Sequence, residues 1–450
     1  MKQVTVLGAG KSSPYLIAKL FEMAAECDWF VTVGDLDQEM AASRVNGHSR
    51  GAAVRFDIND AQMRDAQIKG ADLVVNMLAP RFLDLIAWDC VQHGKHMVSV
   101  SYRDQALREL DADAQRAGVL LLCELGLDPG IDHMSAMRLI HRIKGEGGRI
   151  TSFCSYGSGI PSPTNAEENP FRYVITWNPR NVAMAGERGA QYMEDGQIKI
   201  VPWHHVFHHT WRVEVAGVGT LEAYPNRDSL SYLQAFGLEH VRTMIRGTLR
   251  WPGWSETWAQ IVKLGLPNES ARIPNLAARS AREVVEMFLP LNVSGPKIET
   301  RIARFLGISP TGRIIENMRW LGLFDEEPTG CKGDTAAAML AELLETKLPL
   351  MPTMRDLVVL MHELEVDYPG QARPAERISS TLVAEGEAGG FTAMAKTVGL
   401  PAALAARLVL CGELHLRGSQ IPTHPSVYTP ILAELAADGL VFAERVEPLA

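Results

Sequence analysis

Val4-Thr5-Val6-Leu7-Gly8-Ala9-Gly10-Lys11-Ser12-Ser13-Pro14 is the stretch from which the fold is read. A short apolar run suits a strand, two glycines permit a sharp turn, and Ser13-Pro14 can open a helix. The same texture recurs downstream, with apolar runs at Phe30 to Val33, Leu73 to Val75, Met97 to Val100 and Val119 to Leu122. Such short, continuous, β-rich runs fit a parallel sheet buried on both faces. The amphipathic stretches Tyr15 to Ala25 and Leu83 to Gln92 have the length of crossover helices. The first 125 residues therefore predict an α/β fold with a doubly wound parallel sheet.

Beyond about residue 150 the composition shifts to Ser, Gly, Pro and aromatics, with strand candidates at Thr151 to Tyr156, Ile198 to Val201 and Trp211 to Val215. A mixed α/β domain is expected there. Leu340, Leu343, Leu344 and Leu348 then recur at helical spacing behind Asp334 as an N-cap candidate, predicting a small helical domain. An Ala-rich helix from Ala393 to about Leu416 is too apolar to stand alone and is expected to pack on the first domain. The resulting division is 1–130 plus about 390–450, then 131–255 with part of 365–390, then 256–364.

Composition narrows the partners. With 44 Lys plus Arg against 53 Asp plus Glu, the net charge of -9 opposes a nucleic-acid partner. The six cysteines form no C-x-x-C pair, which suits a reducing cytoplasm, and no stretch reads as a leader or a membrane span of about 20 residues. The cluster Trp203-His204-His205-Val206-Phe207-His208-His209 offers i, i+4 histidine pairs on different faces of a helix and no accompanying glutamate, so no metal is assigned.

The glycine turn is a variant of G-x-G-x-x-G with Ser13 at the third glycine. Its backbone N–H groups and the following helix dipole suit a pyrophosphate. Asp35 ends the next strand, where a carboxylate accepts hydrogen bonds from the ribose hydroxyls of NAD and repels the 2'-phosphate of NADP. NAD is therefore preferred, with NADP kept open by Arg44 nine residues on. Asp37 can share the role of Asp35. Asp57 and the run Met77-Leu78-Ala79-Pro80 occupy carboxyl ends of the sheet, where adenine and ribose lie in such folds. Lys11 lacks the context of a phosphoryl-transfer lysine.

Two further segments reach the same edge: Ser99-Val100-Ser101-Tyr102, and Glu124-Leu125-Gly126-Leu127-Asp128-Pro129-Gly130-Ile131-Asp132-His133. Asp128 before Pro129 reads as a helix N-cap. With these, Ser155-Tyr156, Gly159 to Pro163, Asn169-Pro170, Trp177, Tyr224 to Ser229, Arg246 to Arg250 and Ala393 to Pro401, the sequence resembles saccharopine dehydrogenase of the L-glutamate-forming type. The resemblance spans nearly the whole chain. It implies oxidative cleavage of saccharopine to glutamate and 2-aminoadipate semialdehyde, with hydride leaving the glutamyl arm, or the reverse condensation. It also fits a homodimer formed through the second domain.

By matching positions, Ser101, Tyr102, Asp128, Arg227, Thr248, Leu249 and Arg250 resemble substrate contacts. Gly8, Gly10, Lys11, Ser12, Ser13, Asp35, and Leu127, Asp128, Pro129, Gly130, Ile131, Asp132, His133 and Met134 resemble cofactor contacts. Gly157 stands where the family commonly has cysteine. Arg227 and Arg250 are the expected carboxylate clamps, with Arg246 a weaker third. Asp128 is expected to orient substrate and stabilise positive charge, helped by a helix dipole, while Tyr102 and His133 are the other local proton-handling groups. Two rivals stand: a related amine oxidoreductase such as carboxynorspermidine dehydrogenase or homospermidine synthase, and a dinucleotide-binding protein without catalysis.

Overall fold

The computed structural model describes residues 1–449. The chain forms two compact units, Met1–Ile150 with the segment from Val366 onward, and Thr151–Glu365.

The first unit is built on seven parallel strands in the order Gly418–Gln420, Leu120–Leu122, His96–Ser99, Leu73–Asn76, Lys2–Leu7, Trp29–Asp35, Gly51–Arg55. The order reverses between Lys2–Leu7 and Leu73–Asn76, the switch point of a doubly wound sheet. Val4, Val6, Val31, Val33, Val74 and Val98 are fully buried, as two-sided coverage of the sheet requires. Asp37 and Asp60 cap the helices Gln38–Val45 and Ala61–Gly70 by accepting two backbone N–H bonds each.

The helix Ala393–Leu410 also lies in this unit, ending six residues earlier than its expected end at Leu416. A side chain at Gly399 would sit 2.5 Å from the backbone nitrogen of Leu16, so the absence of a Cβ lets this helix press against Pro14–Ala24. Contrary to the sequence expectation, its 18 residues are long and apolar enough to cross a membrane, but 78% of that stretch is buried inside the protein. It is read here as a core helix.

The second unit carries a mixed sheet. Trp211–Val215, Gly219–Pro225 and Thr243–Arg250 run as successive antiparallel neighbours, and Thr243–Arg250 pairs in parallel with Arg149–Pro161. The helices Trp254–Leu264, Ala281–Met287, Ile298–Leu306, Arg313–Leu321 and Ala336–Lys347 share one continuous core with these strands. The segment expected as a separate helical domain is thus part of the sheet-bearing unit. Thr335, not Asp334, caps Ala336–Lys347 by accepting from the Ala338 N–H, while Asp334 pairs with Arg272. The histidine cluster forms a 3₁₀ turn, Trp203–His208, whose three-residue period does not align i with i+4.

Candidate active site

At the end of Lys2–Leu7, the Gly8 N–H donates to the Gly34 carbonyl at 2.8 Å. Gly8 has φ +107°, and a Cβ there would lie 3.1 Å from the Met77 backbone. The first glycine is therefore demanded by the protein's own chain. Gly10 differs, because a Cβ there would meet nothing within 4 Å. The fold itself leaves open the space above Gly10 that a close-lying pyrophosphate needs. Ser13, buried at the third glycine position, closes the turn by donating from Oγ and N to the Gly10 carbonyl at 2.9 and 3.1 Å. No Ser13 side-chain cap engages the first turn of Pro14–Ala24, so N–H groups remain there for an anionic ligand. Lys11 and Ser12 lie on the outer side of this loop, Lys11 exposed and Ser12 half-buried.

Asp35 is tied to the same turn: its Oδ2 accepts from the Ala9 N–H at 2.7 Å and its Oδ1 from the Asp37 N–H at 3.0 Å. Arg44 reaches the other side of Ala9, donating from Nε to its carbonyl at 3.2 Å. An acid and a guanidinium thus hold the two sides of one residue, Ala9, beside the expected ribose position. Leu78 covers Gly8 and is held by its N–H to Asn76 Oδ1 at 3.1 Å. Asp57 serves a local turn, accepting from Asn59.

The two segments at the sheet edge meet directly. The Tyr102 hydroxyl donates to Asp128 Oδ1 at 3.1 Å. Asp128 is not an N-cap: the helix is Ile131–Gly145, capped at Gly130, and Asp128-Pro129 is a cis peptide. The turn forces this. Gly130 has φ +149°, and a Cβ there would fall 2.0 Å from the Gly126 carbonyl oxygen, so the chain doubles back before the helix starts. The dipole assigned to Asp128 from sequence is therefore replaced by the Tyr102 hydroxyl. Ser101 is buried, with its N–H on Ser99 Oγ and its carbonyl accepting from Glu124 N–H.

Behind this pair, His133 is 1% exposed and its Nε2 lies 2.7 Å from Glu124 Oε2, while Nδ1 lies 3.2 Å from Asp132 Oδ2. Burial favours the neutral imidazole, but Asp132 and Glu124 outweigh it and push the pKa up to about 9. Leu127, Ile131 and Met134 are buried and hold the segment to the core.

In the second unit, Arg246, Thr248 and Arg250 share one face of Thr243–Arg250 by the two-residue period of a strand. Thr248 lies in register between Tyr224 and Gly157, so the position where the family has cysteine is the cross-strand neighbour of Thr248. Arg250 is 4% exposed and packs on the rings of Tyr173, Tyr224 and Trp254 at 4.8, 5.7 and 5.9 Å. Its Nη1 donates to the Leu249 carbonyl at 2.9 Å, its Nε is buried without a partner, and no carboxylate pairs with it among the described residues. Arg246 is equally buried, over the Tyr232 ring at 4.6 Å.

Other expectations are modified. The Leu249 side chain is fully buried in the core, leaving only its backbone at the strand face. Arg227 is exposed at φ +54° on the two-residue strand Arg227–Asp228, beside Ala190–Gln191. Asn226 N–H bonds the Arg246 carbonyl, which sets Arg227 at the far end of the strand from Arg250. The two clamps thus cannot grip one carboxylate from adjacent backbone positions. Arg246 occupies the same face as Arg250. The alternation in Arg246-Gly247-Thr248-Leu249-Arg250 carried that signal. The aromatic cage had none, since Tyr173 and Tyr224 lie far from Arg250 in sequence.

Family models described as saccharopine dehydrogenase NADP binding domain and saccharopine dehydrogenase C-terminal domain match residues 4–122 and 126–440. The saccharopine dehydrogenase [NADP(+), L-glutamate-forming] of Saccharomyces cerevisiae is 30% identical, over 96% of each chain. The mitochondrial alpha-aminoadipic semialdehyde synthase of Mus musculus is 30% identical over 98% of this chain but 47% of its own length, so the chain spans about half of that relative. Among solved structures, apo saccharopine dehydrogenase (L-Glu forming) from Saccharomyces cerevisiae matches with TM-score 0.84 and 29% identity, covering 99% of this chain and 100% of the other. Homospermidine synthase from Legionella pneumophila, with TM-score 0.57 and 11% identity over 100% of this chain and 91% of its own, shares the fold alone.

Proposed function

The chain belongs to the saccharopine dehydrogenase family, and on that premise we propose that it cleaves saccharopine oxidatively to L-glutamate and 2-aminoadipate 6-semialdehyde, using NAD. The observation that carries the substrate reading is Arg250, a buried guanidinium in an aromatic cage with no carboxylate of its own. A buried cation of this kind calls for an anionic partner, and saccharopine brings three carboxylates spread along an extended chain. Arg246, Arg250 and Arg227, set apart along the sheet, suit a spread of anions better than one bidentate clamp.

A dinucleotide at the glycine turn supplies the hydride acceptor. Glutamate departs with the bridging nitrogen, so the bond oxidised is the one from nitrogen to the terminal methylene of the aminoadipyl arm. That carbon becomes the aldehyde. Hydride loss from the glutamyl carbon, the expectation attached to the resemblance, would release 2-oxoglutarate instead and is corrected here. Asp128 is assigned the positive charge that develops on nitrogen as the imine forms. Tyr102 takes a proton from the amine or from the attacking water as it passes its own hydroxyl proton to Asp128, so the pair acts as a relay with the carboxylate as the final acceptor. Water then adds to the imine carbon, and the carbon–nitrogen bond breaks to give aldehyde and glutamate.

The preference for NAD rests on Asp35. Held by two backbone N–H groups, its charge is fixed at the ribose end, where a 2'-phosphate would meet it with only Arg44 in compensation. A homodimer is part of the proposal, supported by Ile198 and Ile200, 61% and 74% exposed on the edge strand Gln197–Val201. The test is NADH formation from saccharopine and from carboxynorspermidine, with both dinucleotides. Turnover of saccharopine with NAD is expected. Turnover of carboxynorspermidine alone, or dinucleotide binding without turnover in either direction, overturns the reading.

A further inference from the structure

Glu124 is a residue that its own backbone disfavours. It has φ +62°, in the left-handed region where a side chain is strained and glycine is not, and it is 2% exposed. A carboxylate kept in such a place has to be held by its contacts. Oε1 accepts the Arg103 N–H at 2.9 Å, and Oε2 meets His133 Nε2 at 2.7 Å. His133 Nδ1 continues to Asp132 Oδ2 at 3.2 Å, and Asp132 Oδ1 accepts the Gly130 N–H at 2.6 Å.

The chain of contacts adds to the backbone bonds from Glu124 and Leu125 to the Ser101 and Ser99 carbonyls in joining two pieces of backbone. One is Ser101 to Arg103, which carries Tyr102. The other is Gly126 to His133, which carries Asp128 and the turn into Ile131–Gly145. The Tyr102 hydroxyl donates to Asp128 between these two pieces.

We propose that Glu124 is a positioning residue: through the Arg103 amide on one side and His133–Asp132–Gly130 on the other, it fixes the Tyr102–Asp128 pair and the dinucleotide-facing turn at Gly126 to Gly130. The inference deepens the reaction proposed above and rests on it for the roles of Tyr102 and Asp128. Two carboxylates flank the imidazole, Glu124 through a hydrogen bond to Nε2 and Asp132 as a charge 3.2 Å from Nδ1.

The test compares Glu124→Gly with Glu124→Gln. The glycine variant suits φ +62° and removes both arms. The glutamine variant can accept from Arg103 through Oε1 and donate to a neutral His133 through Nε2, so it restores the bridge without the charge. Dinucleotide affinity is read by fluorescence in the absence of substrate, and kcat and KM by saccharopine turnover. Glu124→Gly is expected to weaken dinucleotide binding about tenfold and lower kcat about 100-fold, the scale of an ångström-sized misplacement, while Glu124→Gln returns to within about threefold of wild type. Wild-type values in Glu124→Gly overturn the proposal, and so does a Glu124→Gln no better than Glu124→Gly.

Should Glu124→Gly fail to fold, hydrogen exchange on the wild type decides. The Arg103 and Gly130 amides are expected to exchange slowly and together, and rapid exchange of either refutes the bridge. If wild type binds dinucleotide yet does not turn over saccharopine, the substrate reading fails, while the order of dinucleotide affinities still tests Glu124.

Discussion

Replacing Arg250 by methionine should stabilise the free protein and disable it. Burying a guanidinium costs several kcal/mol even after relaxation. Here the return is partial: the Tyr173 ring at 4.8 Å gives about 2 kcal/mol as a desolvated cation–π contact, and Tyr224 and Trp254, at 5.7 and 5.9 Å, give less. The one hydrogen bond made by Nη1 goes to the Leu249 carbonyl, which keeps Ser158 Oγ at 2.8 Å as a donor when the arginine is gone. No buried acceptor is orphaned, and methionine fills a similar volume against aromatic faces. We expect Arg250→Met to gain about 1–2 kcal/mol in the ligand-free state, which for a unit of this size raises Tm by about 2–6 °C.

With saccharopine present the order should invert. A substrate carboxylate without its guanidinium loses about 2–5 kcal/mol of interaction, a fall in kcat/KM of about 30- to several-thousand-fold. Saturating saccharopine, at about 100 times the wild-type Kd, should stabilise the wild type by about 2.7 kcal/mol and the variant by less than about 1 kcal/mol. Thermal melts with and without saccharopine, beside initial rates, provide both readings. A ligand-free Tm lowered by the substitution would mean that the arginine is compensated in the free protein. A kcat/KM within threefold of wild type would remove Arg250 from the substrate site.

Other outcomes follow from the same geometry. Gly10→Ala should fold normally and lose at least about tenfold in dinucleotide affinity, since its Cβ enters space that the protein leaves open; Gly8→Ala should lower Tm as well, because its Cβ meets Met77 at a positive φ. Asp35→Ala should raise NADP turnover relative to NAD by about tenfold or more, and an unchanged ratio in initial rates would place discrimination elsewhere. Tyr102→Phe should lower kcat about 10²–10⁴-fold with a smaller effect on KM, read from the same assay. The His133 pKa is raised in the folded protein to about 9 from 6.5, so its contribution to stability is complete below about pH 6.5 and is lost as pH rises through about 9. Urea unfolding across that range should show the loss in wild type and a flatter profile in His133→Asn.

Five strands of the parallel sheet were legible because each is a short apolar run between turn residues, and the glycine turn marked where the sheet opens. Gly418–Gln420 was not legible. It contributes no apolar side chain and is a strand only because its backbone pairs with Leu120–Leu122. The helices after Trp254 read correctly as helices but wrongly as a domain, since periodicity shows that a face is buried and not against what. Their partner is the mixed sheet, through a shared core. In the site, local geometry was readable where local chemistry fixed it, as in the turn at Gly8. It failed where three-dimensional closure decides, as with the cage around Arg250 and the Glu124–His133 contact.

The Asp128 reading rested on an N-cap that the structure places at Gly130 instead. Asp-Pro is a sound N-cap signal, and a cap would have made the carboxylate a partner of helix N–H groups. Gly130, pressed against Gly126, takes the cap position instead and turns the chain away. That frees Asp128 to accept the Tyr102 hydroxyl. A capping carboxylate would be held by fixed dipoles and give little to a substrate, whereas one bonded to a phenol sits within a proton-carrying pair. The second arrangement can answer charge appearing on the bridging nitrogen, and it requires that Tyr102 and Asp128 be substituted together to be understood. If the pair acts as a unit, the double variant Tyr102→Phe with Asp128→Asn should lose little more than the worse single variant, whereas additive losses would show two independent roles.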